Sequence, residues 1–154
     1  LKSPPSKMLT STSTILALDV GGKRIGVAAA NQVARIAHPL TTLVNDDAIM
    51  QNVQTLIREQ DAGLLVIGLP RGLDGQRTAQ TEAVETFVKT LQPHITIPIH
   101  WQDEAVTSRK AEAELTARAK PYRKEDIDAL AATYILEDFL SEHPNRNPDP
   151  EETA

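Results

Sequence analysis

Apolar residues recur along this chain first in strand-like runs and then at helical spacing. Residues 15–18 form a continuous apolar run that delivers Asp19 into a Val20-Gly21-Gly22 turn, and residues 25–30 run back from it. A third run, 33–43, is interrupted by His38-Pro39, which a strand tolerates best near a sheet edge. No room for a helix separates the three, so they are expected to join as an antiparallel meander. The period then changes. Ile49, Val53, Leu56 and Ile57 follow Asn45-Asp46-Asp47 at helical spacing and predict a first helix. Residues 64–67 read as a strand covered on both faces, ending at Gly68 in a glycine-rich loop that runs to Gly75. Residues 78–91 predict a second helix. Residues 95–101 alternate as a fifth strand, with Trp101 in the core, and this strand delivers Asp103 and Glu104. Helices over about 108–118 and about 125–140 complete the chain, the last packing on the sheet through Leu130, Ala131, Ile135 and Phe139.

The order βββαβαβαα implies an α/β fold: a five-stranded mixed sheet in spatial order 3-2-1-4-5, with right-handed crossovers and helices on both faces. Ligands gather at the carboxyl ends of parallel strands in such sheets. Those ends are Asp19, Gly68 and the Asp103-Glu104 pair. One domain is expected over 15–140. Residues 1–14 read as a disordered lead without the apolar segment of a secretory signal, and 141–154 as an acidic, disordered tail.

Composition narrows the chemistry. The 154 residues include no cysteine, which removes thiolate metal sites and thiol nucleophiles and suits a cytoplasmic protein. No apolar run approaches the ~20 residues of a membrane span. A formal net charge of -5 argues against coating nucleic acid by bulk electrostatics. The distribution is uneven, however. Arg109, Lys110, Arg118, Lys120, Arg123 and Lys124 make a locally basic stretch, which on its own reads as a solvated helix face and loop.

Three carboxylate positions become candidates for one site: Asp19, Asp103 or Glu104, and Asp128, which lies three residues before Ala131 and four before Ala132. Each has a plainer reading. Asp19 can simply form a turn, while Asp103-Glu104 and Asp128 can be acids favouring a helix N-terminus. Together, without cysteine or a triad partner, they suit hard cations such as Mg²⁺ or Mn²⁺, and two such ions can activate a water and stabilise the leaving oxygen of a phosphodiester. Strand 5 stands two places from strand 1, so the strand ends are ~10 Å apart. The site closes only if Gly68 leaves a gap, and Glu104, having the longer reach, is preferred over Asp103. His38, His94, His100 and His143 show no ligand spacing.

Four ordered motifs now resemble a known family: Asp19-Val20-Gly21-Gly22-Lys23-Arg24-Ile25-Gly26-Val27-Ala28, Gly68-Leu69-Pro70 with Asp74-Gly75, Trp101-Gln102-Asp103-Glu104 with Thr107, and Asp128-Ala129-Leu130-Ala131-Ala132 with Ile135-Leu136. In order and spacing they resemble the YqgF/RuvX family. That resemblance implies an RNase H-like fold similar to Holliday-junction resolvases, and a nuclease maturing the 5′ end of 16S rRNA. It implies acid roles for Asp19, Glu104 (or Asp103) and Asp128, and substrate-backbone roles for Lys23, Arg24 and the 68–75 loop. One departure stands out: most members carry Arg after the Asp-Glu pair, and here the residue is Ala105.

The expected activity is therefore a hydrolase, a metal-dependent endonuclease on structured RNA. Asp19, Asp103, Glu104 and Asp128 are its candidate metal ligands, and Lys23, Arg24, Arg71, Arg109 and Lys110 its phosphate contacts. Ribosomal precursor particles are expected partners, with the protein a monomer or homodimer. A Holliday junction (DNA) resolvase, expected as a dimer with two sites, is the alternative in the same class. A non-catalytic RNA-binding or ribosome-assembly factor is the alternative outside it, favoured by Ala105 and the acidic balance. An actin-like phosphoryl-transfer protein would need a second domain for which there is no space.

Overall fold

The computed structural model describes residues 13–105, 116, 118 and 124–144. The expected helix over 108–118 apart from residues 116 and 118, nearly all of the lead, the tail from 145, and both Arg109 and Lys110 lie outside the described residues. Strands β1 (Thr14–Val20), β2 (Arg24–Asn31) and β3 (His38–Val44) form the meander. Helix α1 (Ile49–Glu59), β4 (Ala62–Arg71), α2 (Ala79–Leu91), a 3-10 turn (Gln92–His94), β5 (Ile99–Ala105) and α3 (Lys124–Glu142) follow. The sheet order is β3-β2-β1-β4-β5, with β4 parallel to β1 and to β5. This is the order that the crossover rules required.

Alternation along the strands divides the core in two. Leu16, Leu18, Val20, Ile25, Val27, Leu65 and Ile67 turn to the face covered by α1 and α2, where Val53, Val84 and Val88 meet them. Ile15, Ala17, Ala28, Ala30, Leu64 and Val66 turn to the other, where Ala132, Ile135, Leu136 and Phe139 of α3 pack. Leu130 and Ala131, expected on the sheet, instead form a separate cluster with Ile127 and Tyr134. Helix α3 is thus buried on more than its sheet-facing side. Among the described residues no helix is long and apolar enough to cross a membrane.

Three local expectations are corrected. Strand β4 does not end at Gly68 but runs on to Arg71. Strand β5 begins at Ile99 rather than residue 95, because Pro93 sits in the preceding 3-10 turn and Pro98 has no N–H to donate to a ladder. The Pro98 carbonyl still accepts from the Leu65 N–H at 3.0 Å, and Ile95, Ile97 and Ile99 still pack against the core. Trp101 is 39% exposed rather than buried, since β5 is an edge strand. Helix α2 starts as its sequence suggests: the Thr78 hydroxyl accepts from the Thr81 N–H at 3.2 Å and Thr81 reciprocates.

Candidate active site

Asp19 follows Ile15 and Ala17 on the α3 face of β1, by the same alternation. Its partner across the hairpin is Gly26, and this glycine decides where α3 can sit. A Cβ on Gly26 would collide with the Asp128 carbonyl oxygen and crowd the Ala129 nitrogen. The absence of a side chain lets the first turns of α3 lie directly on β2. Asp128 is thereby seated beside the strand pair that carries Asp19, and it is buried, at 6% exposure. The hairpin turn is braced from outside: Asn45 Nδ2 donates to the Gly21 carbonyl at 2.8 Å, and the Asn45 N–H donates to the Lys23 carbonyl at 2.9 Å. Lys23 itself is exposed at the turn's end, next to Gly21 and Gly22.

Arg24 shares the face of Gly26 and reaches Asp128. Its Nε donates to Asp128 Oδ2 at 2.5 Å, with the Asp128 side chain 9% exposed and that of Arg24 37%. Burial of a carboxylate demands such a partner. Sequence spacing gave no sign of this pair, whose members are 104 residues apart.

Strand parity separates the adjacent acids of β5. His100 packs against Phe139 of α3, and Gln102 Nε2 donates to Glu142 of the same helix at 3.0 Å, so the even-numbered positions face α3. Glu104 continues that series and shares a face with Asp19 and Asp128. Asp103 turns to the opposite face, where it pairs with Arg71 at 3.4 Å. Arg71 is also the cross-strand neighbour of Ala105. A surface cavity of about 440 Å³ lies here, lined by Arg71, Gly72, Leu73, Gly75, Asp103 and Glu104.

The gap expected over Gly68 is filled. A Cβ there would come within 2.5 Å of Ile135 Cδ1, so Gly68 serves the close packing of α3. The sheet register also spreads the acids. Asp19, one residue past the Leu18–Ile67 pair, comes level with Gly68, which pairs with Gln102, and Glu104 pairs with Pro70 two residues further along. Glu104 thus stands ~10 Å across the sheet from Asp19 and a further ~7 Å along it. Among the described residues, no three Asp, Glu, His or Cys side chains are grouped to hold a metal ion. The Asp128 backbone lies over Gly26, the cross-strand partner of Asp19, and Glu104 stands farther off on the edge strand. The oxygen-only donor set of these acids suits a hard cation, and a cation, the Arg24 guanidinium, already stands at Asp128.

The sheet order and the helices packed on it make this an RNase H-like fold. It is similar to RuvC of T. thermophilus, solved in complex with a Holliday junction substrate: TM-score 0.54, 12% identity, covering 89% of this chain and 99% of that one. It is similarly related to the fowlpox virus Holliday junction resolvase, with a TM-score of 0.53 and 12% identity over 84% of this chain and 99% of that one. At the level of sequence, residues 13–142 match the family model described as "RuvX: Holliday junction resolvase". A relative from Chloroflexus aurantiacus named "Putative pre-16S rRNA nuclease" is 43% identical over 141 residues, covering 86% of this chain and 92% of the relative. One of the same name from Sulfurihydrogenibium sp. is 39% identical over 130 residues, covering 83% and 90%. The chain belongs to the RuvX family, a family of nucleases.

Proposed function

We propose that this protein is a divalent-metal-dependent endonuclease of structured RNA, with the 5′ end of precursor 16S rRNA as its substrate. The observation that carries the reading is the seating of Asp128 over Gly26, the cross-strand partner of Asp19, at the carboxyl end of the central strands. The names of its relatives point to the RNA. In this reading Asp19 and Asp128 hold Mg²⁺ or Mn²⁺ with Glu104 closing from β5, and Asp103, on the other face, holds Arg71 instead. When bound, the ions supply Lewis-acid activation of water and charge neutralisation at the phosphate. Lys23, Arg24 and Arg71, with Arg109 and Lys110, contact the substrate's phosphates and fix its register. The protein works in the cytoplasm, on the precursor particle or its RNA.

The test is cleavage of precursor 16S rRNA and of a synthetic four-way DNA junction side by side, with Mg²⁺ or Mn²⁺, using wild type and Asp19→Asn. Cleavage of the RNA alone, lost in Asp19→Asn, is the expected result. Cleavage of the junction alone would move the assignment to a resolvase, a reading that the family description favours. Cleavage of neither by folded protein would leave an RNA-binding assembly factor.

A further inference from the structure

Arg24 occupies an unusual place for a residue expected to bind substrate. Its guanidinium stands on Asp128 rather than projecting from the hairpin. A carboxylate with 9% of its side chain exposed does not readily shed one cation without acquiring another, because an unpaired charge at that depth is strongly unfavourable. Two cations on one such carboxylate repel each other, at an energy that rises as water is excluded. Arg24 is the more exposed partner, on a strand that starts at the hairpin tip, so its side chain has solvent to turn into. A planar guanidinium leaving a carboxylate is also suited to a phosphate, which offers the same two-pronged geometry.

We infer that Arg24 is the resident counter-ion of Asp128, displaced onto the substrate's phosphate backbone when a divalent cation takes that carboxylate. The inference rests on the metal-dependent reading above. It makes metal and nucleic acid help each other bind, since coupling between two sites is reciprocal. It also keeps the buried acid neutralised in the unloaded protein. The opposite arrangement, in which Arg24 stays on Oδ2 while the metal takes the other oxygen, makes Arg24 a support for the ligand, and predicts effects of the opposite sign.

Mn²⁺ titration by calorimetry distinguishes the two. Arg24→Gln is expected to bind Mn²⁺ about 5-fold or more tightly than wild type, since the competing cation is gone. A fluorescein-labelled RNA hairpin is then followed by anisotropy, in EDTA and in Ca²⁺. Arg24→Gln is expected to match wild type within about twofold in EDTA and to bind about 5-fold more weakly in Ca²⁺. Equal or weaker Mn²⁺ binding by Arg24→Gln, or an equal loss of RNA affinity in both buffers, overturns the exchange. Failure of wild type to bind Mn²⁺ overturns the metal-dependent reading itself. Should Arg24→Gln not fold, Arg24→Lys decides by the sign of its change in Mn²⁺ affinity: tighter than wild type supports the exchange, equal or weaker overturns it.

Discussion

Among the glycines of the sheet and its first hairpin turn, what a methyl group would meet differs from one position to the next, and this grades their importance for the site. At Gly26 it meets the backbone of Asp128 and Ala129, which cannot move without moving α3. At Gly68 it meets the end of the Ile135 side chain, which can rotate, and at Gly22 it meets nothing within 4 Å. Gly26→Ala is therefore expected to cost about 1–3 kcal/mol, as overpacking does. Because the displaced element carries Asp128, Mn²⁺ affinity should fall with it. Gly22→Ala should stay within about 0.5 kcal/mol. Thermal melts together with Mn²⁺ calorimetry check both, and a destabilised Gly26→Ala that kept wild-type metal affinity would detach α3 placement from the site. The two acids of β5 give a second contrast. Glu104→Gln should lower kcat/KM on precursor rRNA by about 100-fold or more, the loss of several kcal/mol that a metal ligand represents. Asp103→Asn, on the other face and paired with Arg71, should change it by only about 2–3-fold, because exposed pairs are worth ~1 kcal/mol or less. Equal losses in the two variants would sink the assignment by parity.

Helix α3 is held at both ends, and the far end brings a pH dependence. Near its C-terminus, Arg35 from the β2–β3 turn donates to the His143 carbonyl, and the rings of His100, Phe139 and His143 pack with centroids 4.7–5.2 Å apart. Burial is the main influence holding the His100 pKa below its usual value of 6.5; nearby His143 lowers it further, while Glu142 opposes. The unfolded chain therefore takes up a proton at His100 before the folded one does. Stability from this group is fully present above pH 6.5 and is lost as pH falls from there toward the depressed folded value. Urea denaturation at pH 7.5 and pH 5.5 should show a drop that His100→Gln reduces; an unchanged drop would place the acid sensitivity elsewhere. The same helix shows where sequence stops being informative. Its existence, and the order of all five strands, follow from period and crossover handedness, which are local or topological. Which positions face the sheet was only half legible, since Leu130 and Ala131 pack with Ile127 and Tyr134 instead. Gly68 could not be read as a packing contact without knowing that Ile135 lies over it, nor Arg24 as the partner of Asp128. The start of β5 was misplaced because alternation continues through Ile95 and Ile97, while Pro93 and Pro98 deny the segment its ladder.

An acidic molecule that binds nucleic acid must do so by local charge, and salt dependence measures how local. The net charge of -5 repels a polyanion at long range, so affinity must come from the few cations at the carboxyl end of the sheet. Lys23, Arg24 and Arg71 are the described candidates there. Three phosphate contacts correspond to a slope of log K against log salt of about −2 to −3, and two more, from Arg109 and Lys110, would steepen it to about −3.5 to −4.5. Fluorescence anisotropy on an RNA hairpin from 50 to 250 mM KCl in Ca²⁺ reads the slope directly. Lys23→Ala should flatten it by about 1 without changing preference among RNA sequences, because a phosphate contact carries no base information. Arg24→Gln should flatten it by a similar amount in Ca²⁺ and hardly at all in EDTA, since without metal its charge is already spent on Asp128. A wild-type slope as shallow in Ca²⁺ as in EDTA would mean that no guanidinium is transferred. The basic stretch beyond β5 would then have to supply the contacts, and alanine at Arg109 and Lys110 would have to remove them.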